Sequence, residues 1–232
     1  AWHHHGALTY AGYIIGFPGD TYESIMKDVE LLKREIPLDF AEFFIMTPLP
    51  GSVDHQNLCR DNAVLEHDTN LYDTMHVCVK HPNMSKERLM QAYHDAWRSF
   101  YSKEHMLTIL KRLKNKRMRK RTVASLIWFC SSIFLEHVHP LLGGFIQLKG
   151  RRNRRPGFAR EPIVAYYPRR LWELFLSIAG LIRLALELYG LGLRAARKEN
   201  TDYTDASFKL TPAKSNNATS PEPGVANPVR PA

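Results

Sequence analysis

The stretch TYAGYIIG, residues 9–16, runs directly into the turn Phe17-Pro18-Gly19-Asp20, and the reading of these residues decides the fold. Aromatic and β-branched residues that end on a glycine–proline break describe a buried strand entering a tight turn. A helix is expected at once. Asp20 stands as its N-cap with Glu23 three residues on, the spacing of a capping box. Ile25, Met26, Val29, Leu32 and Ile36 then recur at helical period until Pro37 stops the run. Residues 38–47 (LDFAEFFIMT) form a second apolar strand, closed by Pro48-Leu49-Pro50-Gly51-Ser52. Strand, helix and strand within about 40 residues make a βαβ unit, which builds parallel sheets or barrels with ligands at the C-terminal strand ends. The expected fold class is therefore α/β.

Around this unit the composition is ordinary. The chain has 232 residues, 44% hydrophobic and 24% charged, which excludes collagen-like, mucin-like and wholly disordered classes. Cys59, Cys78 and Cys130 form no CxxC pair, so neither a disulfide scaffold nor a structural zinc finger is expected and a reducing, cytoplasmic compartment is. The first residue is Ala1, and no charged start precedes an apolar run, so a piece of a longer chain without a signal peptide is expected. The net charge of +9 is uneven. Residues 1–110 carry 9 Lys and Arg against 15 Asp and Glu, residues 111–160 carry 14 against 1, and the remainder carries 9 against 7. Any attraction for anionic partners belongs to the middle segment.

Beyond the second strand, residues 53–83 read as a long polar loop, a candidate substrate or lid loop. Ser85 begins a helix whose Leu89, Tyr93, Trp97, Phe100 and Leu107 form one apolar stripe; Trp97 and Tyr101 are expected in the core. Eight of the eleven residues 111–121 are basic, and the apolar run 122–135 follows them. A second basic cluster at 149–155 precedes the apolar segment 171–193. In that segment Glu173, Ser177, Gly180, Arg183, Glu187 and Gly190, with Arg194 just beyond, recur every three or four residues and form one narrow polar stripe. The wide apolar remainder needs a protein partner or a bilayer surface to cover it. The segment from residue 199 on, rich in Ser, Asn, Pro and Ala, is expected to be disordered.

Chemically, GYIIGFPGD brings a strand end and a helix N-terminus together across glycines, so that backbone amides can approach a ligand closely. It lacks the Gly-Lys-Ser/Thr of a phosphate loop and the spacing of the dinucleotide fingerprint. The same string, residues 12–21, with the following strand and Pro48-Leu49-Pro50-Gly51-Ser52, resembles the fifth and sixth strands of the radical S-adenosylmethionine barrel. LYDTMHVCVKHPNMS and AYHDAWRSFYSKEHM extend that resemblance over roughly residues 1–160. The relatives it points to are bacterial proteins that usually carry an N-terminal cobalamin-binding domain. The resemblance implies the C-terminal part of a (β/α) barrel (residues 1–110), a helical extension (111–198) and the tail (199–232).

It further implies S-adenosylmethionine as cofactor, with its adenine packed on Gly12, Ile14 and Gly16 and with Phe17 and Pro18 beside them. A [4Fe-4S] cluster and cobalamin are implied as well. The family's CxxxCxxC is absent, so the cluster ligands are expected outside this chain, on the N-terminal remainder of the same protein, and the chain alone is expected to be inactive. Radical hydrogen abstraction or cobalamin-assisted methyl transfer on a small-molecule or lipid substrate is the implied activity. The family's acid three residues after the second glycine is replaced by Gly19, with Asp20 one later, so Asp20 is expected to cap.

Tyr72, His76 and His81, in the loop after the second strand, are the candidates for acid–base work, against the plainer role of hydrogen-bonded structural groups. His3, His4 and His5 alternate faces on an extended chain and cannot converge on one ion unaided, so no metal site is expected. The basic run suits anionic lipid headgroups better than RNA, because each cluster stands beside an apolar helix and aromatics are not interleaved with the charges. The expected location is peripheral, on the inner face of the membrane. Two rival functions remain open at this level: a non-catalytic membrane-surface module, and an RNA-modifying relative.

Overall fold

Residues 9–16 do form a strand. The computed structural model describes residues 7–113, 115–143, 146, 150–152 and 159–197; His3, His4, His5 and the tail from residue 199 lie outside them. Strand β1 is Tyr10–Ile15 and β2 is Phe40–Ile45. They pair in parallel, Gly12 opposite Glu42 and Ile14 opposite Phe44. Alternation sends Ala11, Tyr13 and Ile15 toward the helices and leaves Tyr10, Gly12 and Ile14 on an open face. These are the two strands among the described residues, with one isolated bridge between Val64 and Val79, so they make a parallel pair and not a closed barrel.

Helix α1, Tyr22–Glu35, is the crossover between the strands, and its Ile25 and Val29 are fully buried. Its cap differs from the expected one. Thr21 accepts from the Ser24 amide at 3.1 Å and Ser24 Oγ accepts from the Thr21 amide at 2.9 Å, a capping box one residue later than Asp20 and Glu23. Glu23 instead pairs with Arg88 on α3. Asp20 turns back toward the strand.

The expected long loop is partly structured. It contains α2, Val53–Arg60, capped by Ser52, and a 3-10 turn at Thr69–Leu71. Val77, Cys78 and Val79 are buried and anchor it. Helix α3, Lys86–Phe100, packs on α1 and β2 through Leu89, Tyr93, Trp97 and Phe100, and Trp97 and Tyr101 are core residues as expected. The apolar stripe does not continue unbroken to Leu107. The chain breaks at Tyr101 and restarts at α4, Lys103–Arg112, with Ser102 as its cap.

That break serves the sheet. Main-chain bonds from Phe40 N to Thr9 O (3.1 Å) and from Met46 N to Ile15 O (2.8 Å) direct the even residues of β2 toward β1. Its outer edge therefore belongs to Ala41, Phe43 and Ile45. The Tyr101 hydroxyl accepts from Ala41 N (3.2 Å) and donates to Ala41 O (2.7 Å), and Ile45 N donates to Thr74 O (2.7 Å). The outer edge of β2 is thus covered at Ala41 and Ile45 without a strand.

Helix α5, Lys116–Phe134, begins inside the basic run. Part of that run is structural: buried Arg112 donates to Leu38 O at 3.0 Å, and Arg119 donates to Leu113 O at 2.7 Å, covering carbonyls at the end of α4. The apolar run 122–135, expected beside a membrane, is a core helix. Its Leu126, Phe129 and Ile133 join the same buried cluster as β1 and β2, across the expected boundary at residue 110. Helix α6, Ile163–Arg197, packs on α4 and α5 through Leu188, Leu191 and Ala195.

Candidate cofactor-binding site

Five of the residues singled out by sequence sit together at the C-terminal end of β1. Gly12 and Ile14 lie on the open face, with Ile14 46% exposed. Gly16 has φ +101°, a conformation that glycine adopts without strain, and a Cβ there would stand 3.4 Å from the Leu89 side chain. Phe17 and Pro18 form the exposed tip of the turn. A Cβ on Gly12 would meet the Phe44 ring at 3.0 Å, so the strand is flat there by necessity.

The turn is held from three sides. The Asp20 carboxylate accepts from Gly16 N (2.8 Å) and Phe17 N (2.9 Å). His81 Nε2 donates to Phe17 O at 2.8 Å while its Nδ1 accepts from Asn83 N at 3.1 Å, an arrangement that fits the neutral Nε2–H tautomer. Asn83 Nδ2 donates to Pro18 O at 2.9 Å. The expectation of free amides at this turn is corrected: a side chain already occupies them. The Gly16 and Phe17 amides are thus taken up by Asp20, while Gly12 and Ile14 stay exposed beside the turn.

A cavity of about 170 Å³ lies behind the turn, lined by Gly16, Pro18, Met46, Val77, His81 and Leu89 among others. It is smaller than the roughly 300–1,000 Å³ of small-molecule sites, so a nucleoside-sized ligand would need the open face of β1 as well.

Tyr72, His76 and His81 do not converge. His81 is built into the turn through both ring nitrogens. Tyr72 donates to Glu66 O at 3.0 Å and its ring meets His55 edge-on. His76 Nδ1 lies 2.9 Å from Asp73, whose carboxylate also accepts the amides of Met75 and His76. Among the described residues no hydrogen bond or ring contact joins the three, and no cluster of three metal-ligating side chains occurs.

Sequence reasoning missed Glu42. It lies on the open-face side of β2 opposite Gly12, is 1% exposed, and hydrogen-bonds the Tyr10 hydroxyl through one oxygen while Oε2 has no partner. Burial pushes its carboxyl above the usual carboxylate range, and the bond from Tyr10 offsets part of that. The available signal was a lone acid within an apolar strand.

The cysteines do not suit a cluster. Cys78 is buried with its thiol donating to Leu71 O at 3.2 Å, and Cys130 is buried beside Met106, so the two are not grouped. Cys59 is exposed on α2, apart from them.

One similar protein is an uncharacterized methyltransferase of Pyrococcus horikoshii, 28% identical over 102 residues. The match covers 44% of this chain and 22% of that protein, so the chain spans about a fifth of its relative. No family model matches the chain, and no solved structure matches it. The likeness supports a methyltransferase-like relationship over those 102 residues.

Proposed function

We propose that these residues are the C-terminal part of a methyltransferase of the radical S-adenosylmethionine type, whose barrel is completed at β1 by strands outside this chain. The carrying observation is the asymmetry of the sheet: the outer edge of β2 is bonded at Ala41 and Ile45, while among the described residues no element pairs with the edge of β1 and its face bearing Gly12 and Ile14 is exposed. Gly12 lets a planar base lie against the backbone. Ile14 supplies apolar contact beside it. Asp20, His81 and Asn83 hold the following turn in one shape, so its tip presents Phe17 and Pro18 without rearrangement on binding.

A bound [4Fe-4S] cluster would supply the electron that cleaves S-adenosylmethionine. Among the described residues no three metal-ligating side chains come together, so the residues present do not fit the cluster and its ligands would come from elsewhere in the proposed enzyme. The part these residues play is to bind adenine and keep water from it.

The test uses the natural full-length protein. Ile14→Asp places a charge on the open face, where a half-exposed side chain contributes little to folding, and should weaken S-adenosylmethionine binding about tenfold, about 1.4 kcal/mol, with unchanged thermal unfolding. Unchanged affinity removes β1 from the site. Anaerobic turnover with a reductant should release 5'-deoxyadenosine in step with bound iron. Formation of S-adenosylhomocysteine alone, without iron, would leave a methyltransferase of the ordinary polar type and overturn the radical assignment.

A further inference from the structure

Helix α6 is apolar on two sides. Inward, Leu188, Leu191 and Ala195 are buried, with Gly180 against Leu135, Gly192 against Val123, and Glu187 paired with Lys103 on α4. Outward, a second set of large apolar residues is left uncovered. Leu171, Trp172, Phe175, Ile182, Leu186 and Tyr189 are each more than half exposed. They extend along about 27 Å of helix, an apolar strip larger than monomeric soluble proteins leave in water.

The charges around this strip say what covers it. Contacts of Gly192 with Val123 and of Gly180 with Leu135 set α5 and α6 antiparallel. The start of α5 therefore lies beside the end of α6, which gathers Lys116, Arg117, Lys120, Arg121, Arg194 and Arg197 at one end of the strip. All six are exposed, and none pairs with a carboxylate among the described residues. At the other end stand Arg169 and Arg170, beside Glu173. Arg183 is exposed midway along the helix. By length and composition α6 could cross a membrane. Crossing would put Arg183 near the bilayer centre, and the inner side of the helix is already covered by α4 and α5. An orientation in the plane of the interface satisfies every group: apolar side chains among the acyl chains, arginines among the phosphates.

We infer that the outer face of α6, with the basic ends of α5 and α6, docks this protein on a bilayer surface rich in anionic lipid. The inference does not depend on the radical or methyl-transfer chemistry.

The test is partition of the full 232-residue chain onto vesicles of phosphatidylcholine, with and without phosphatidylglycerol. Binding is expected on the anionic vesicles, partly reversed by salt. Phe175→Ser with Leu186→Gln changes exposed residues only and should abolish binding, while circular dichroism and the unfolding midpoint stay unchanged. Lys116→Gln, Arg117→Gln, Lys120→Gln and Arg121→Gln together should weaken binding at least about tenfold at low salt. Brominated lipid should quench tryptophan fluorescence in the parent and far less in Trp172→Phe. Equal binding to neutral vesicles, a lipid-independent dimer broken by the Phe175/Leu186 variant, or stoichiometric displacement of the protein from vesicles by transfer RNA would each overturn the proposal.

Discussion

Glu42 is the one charged side chain in β2, and its surroundings make it costly to ionise. Because its folded pKa is raised, the native state holds a proton that the unfolded chain has already released. Stability should therefore fall as pH rises through the ordinary carboxylate range, and the cost should persist at neutral pH. Glu42→Gln keeps the shape and the bond to Tyr10 but cannot ionise. It should raise stability at neutral pH by roughly 1–3 kcal/mol, the cost of an imperfectly paired buried group, with the gain vanishing below about pH 4, as the Glu42 carboxyl becomes protonated in the folded and the unfolded chain alike. Urea midpoints of the two proteins across pH 4–8 measure this, and parallel curves would show that burial does not govern the carboxyl. A residue that weakens the fold and faces Gly12 across the register is also where function would retain such a cost. If Glu42 serves the site, the more stable variant should be the less active one in the full-length protein.

At the scale of elements, α6 separates what periodicity can tell from what it cannot. A spacing of three and four residues identifies a stripe of Glu173, Ser177, Gly180, Arg183, Glu187 and Gly190 with Arg194 beyond, of which Arg183 and Arg194 are exposed and the others partly covered. Which side of the helix is covered depends on α4 and α5, and no local pattern carries that. Leu184 accordingly lies partly buried against the core although it looks outward in sequence, while Leu186 is exposed. The same limit explains other differences. The strands, α1 and the buried stripe of α3 were legible because alternation and helical period are local. The stop at Tyr101 was not, because the hydroxyl's partner is the edge of β2, 60 residues earlier. Nor was the role of Asp20 legible, since a carboxylate before a helix can serve the helix or the turn behind it. Packing of α6 has its own test in two glycines of the stripe. A Cβ at Gly180 already meets Leu135 at 3.1 Å, whereas nothing lies within 4 Å of one at Gly190. Gly180→Leu should force α6 from α5 and cost about 1–3 kcal/mol, while Gly190→Leu should be neutral or stabilise slightly through helix propensity. Equal urea midpoints for the two variants would contradict the inward direction of the stripe.

Over the whole molecule the two edges of the sheet are treated differently, and this has a measurable signature. Two groups from two segments, the Tyr101 hydroxyl and Thr74 O, bond the outer edge of β2 at Ala41 and Ile45, so the sheet has no room to grow there. At β1 the register leaves the even residues, Tyr10, Gly12 and Ile14, with their amides directed away from β2, and no strand among the described residues meets them. Strand β2 is buried on both faces, whereas β1 is exposed along Tyr10, Gly12 and Ile14, a marginal arrangement for a parallel strand, since such strands are ordinarily covered on both faces. Hydrogen exchange reads the asymmetry directly. In the 232-residue chain the amides of Ala41 and Ile45 should be protected to the level of global unfolding, and those of Gly12 and Ile14 should exchange orders of magnitude faster. In the longer natural protein, a neighbouring strand paired with β1 would slow Gly12 and Ile14 to the rate of Ala41 and leave Ala41 itself unchanged. Fast exchange at Gly12 and Ile14 in the longer protein would mean that β1 remains an edge, and the barrel proposed here would have no strand with which to close.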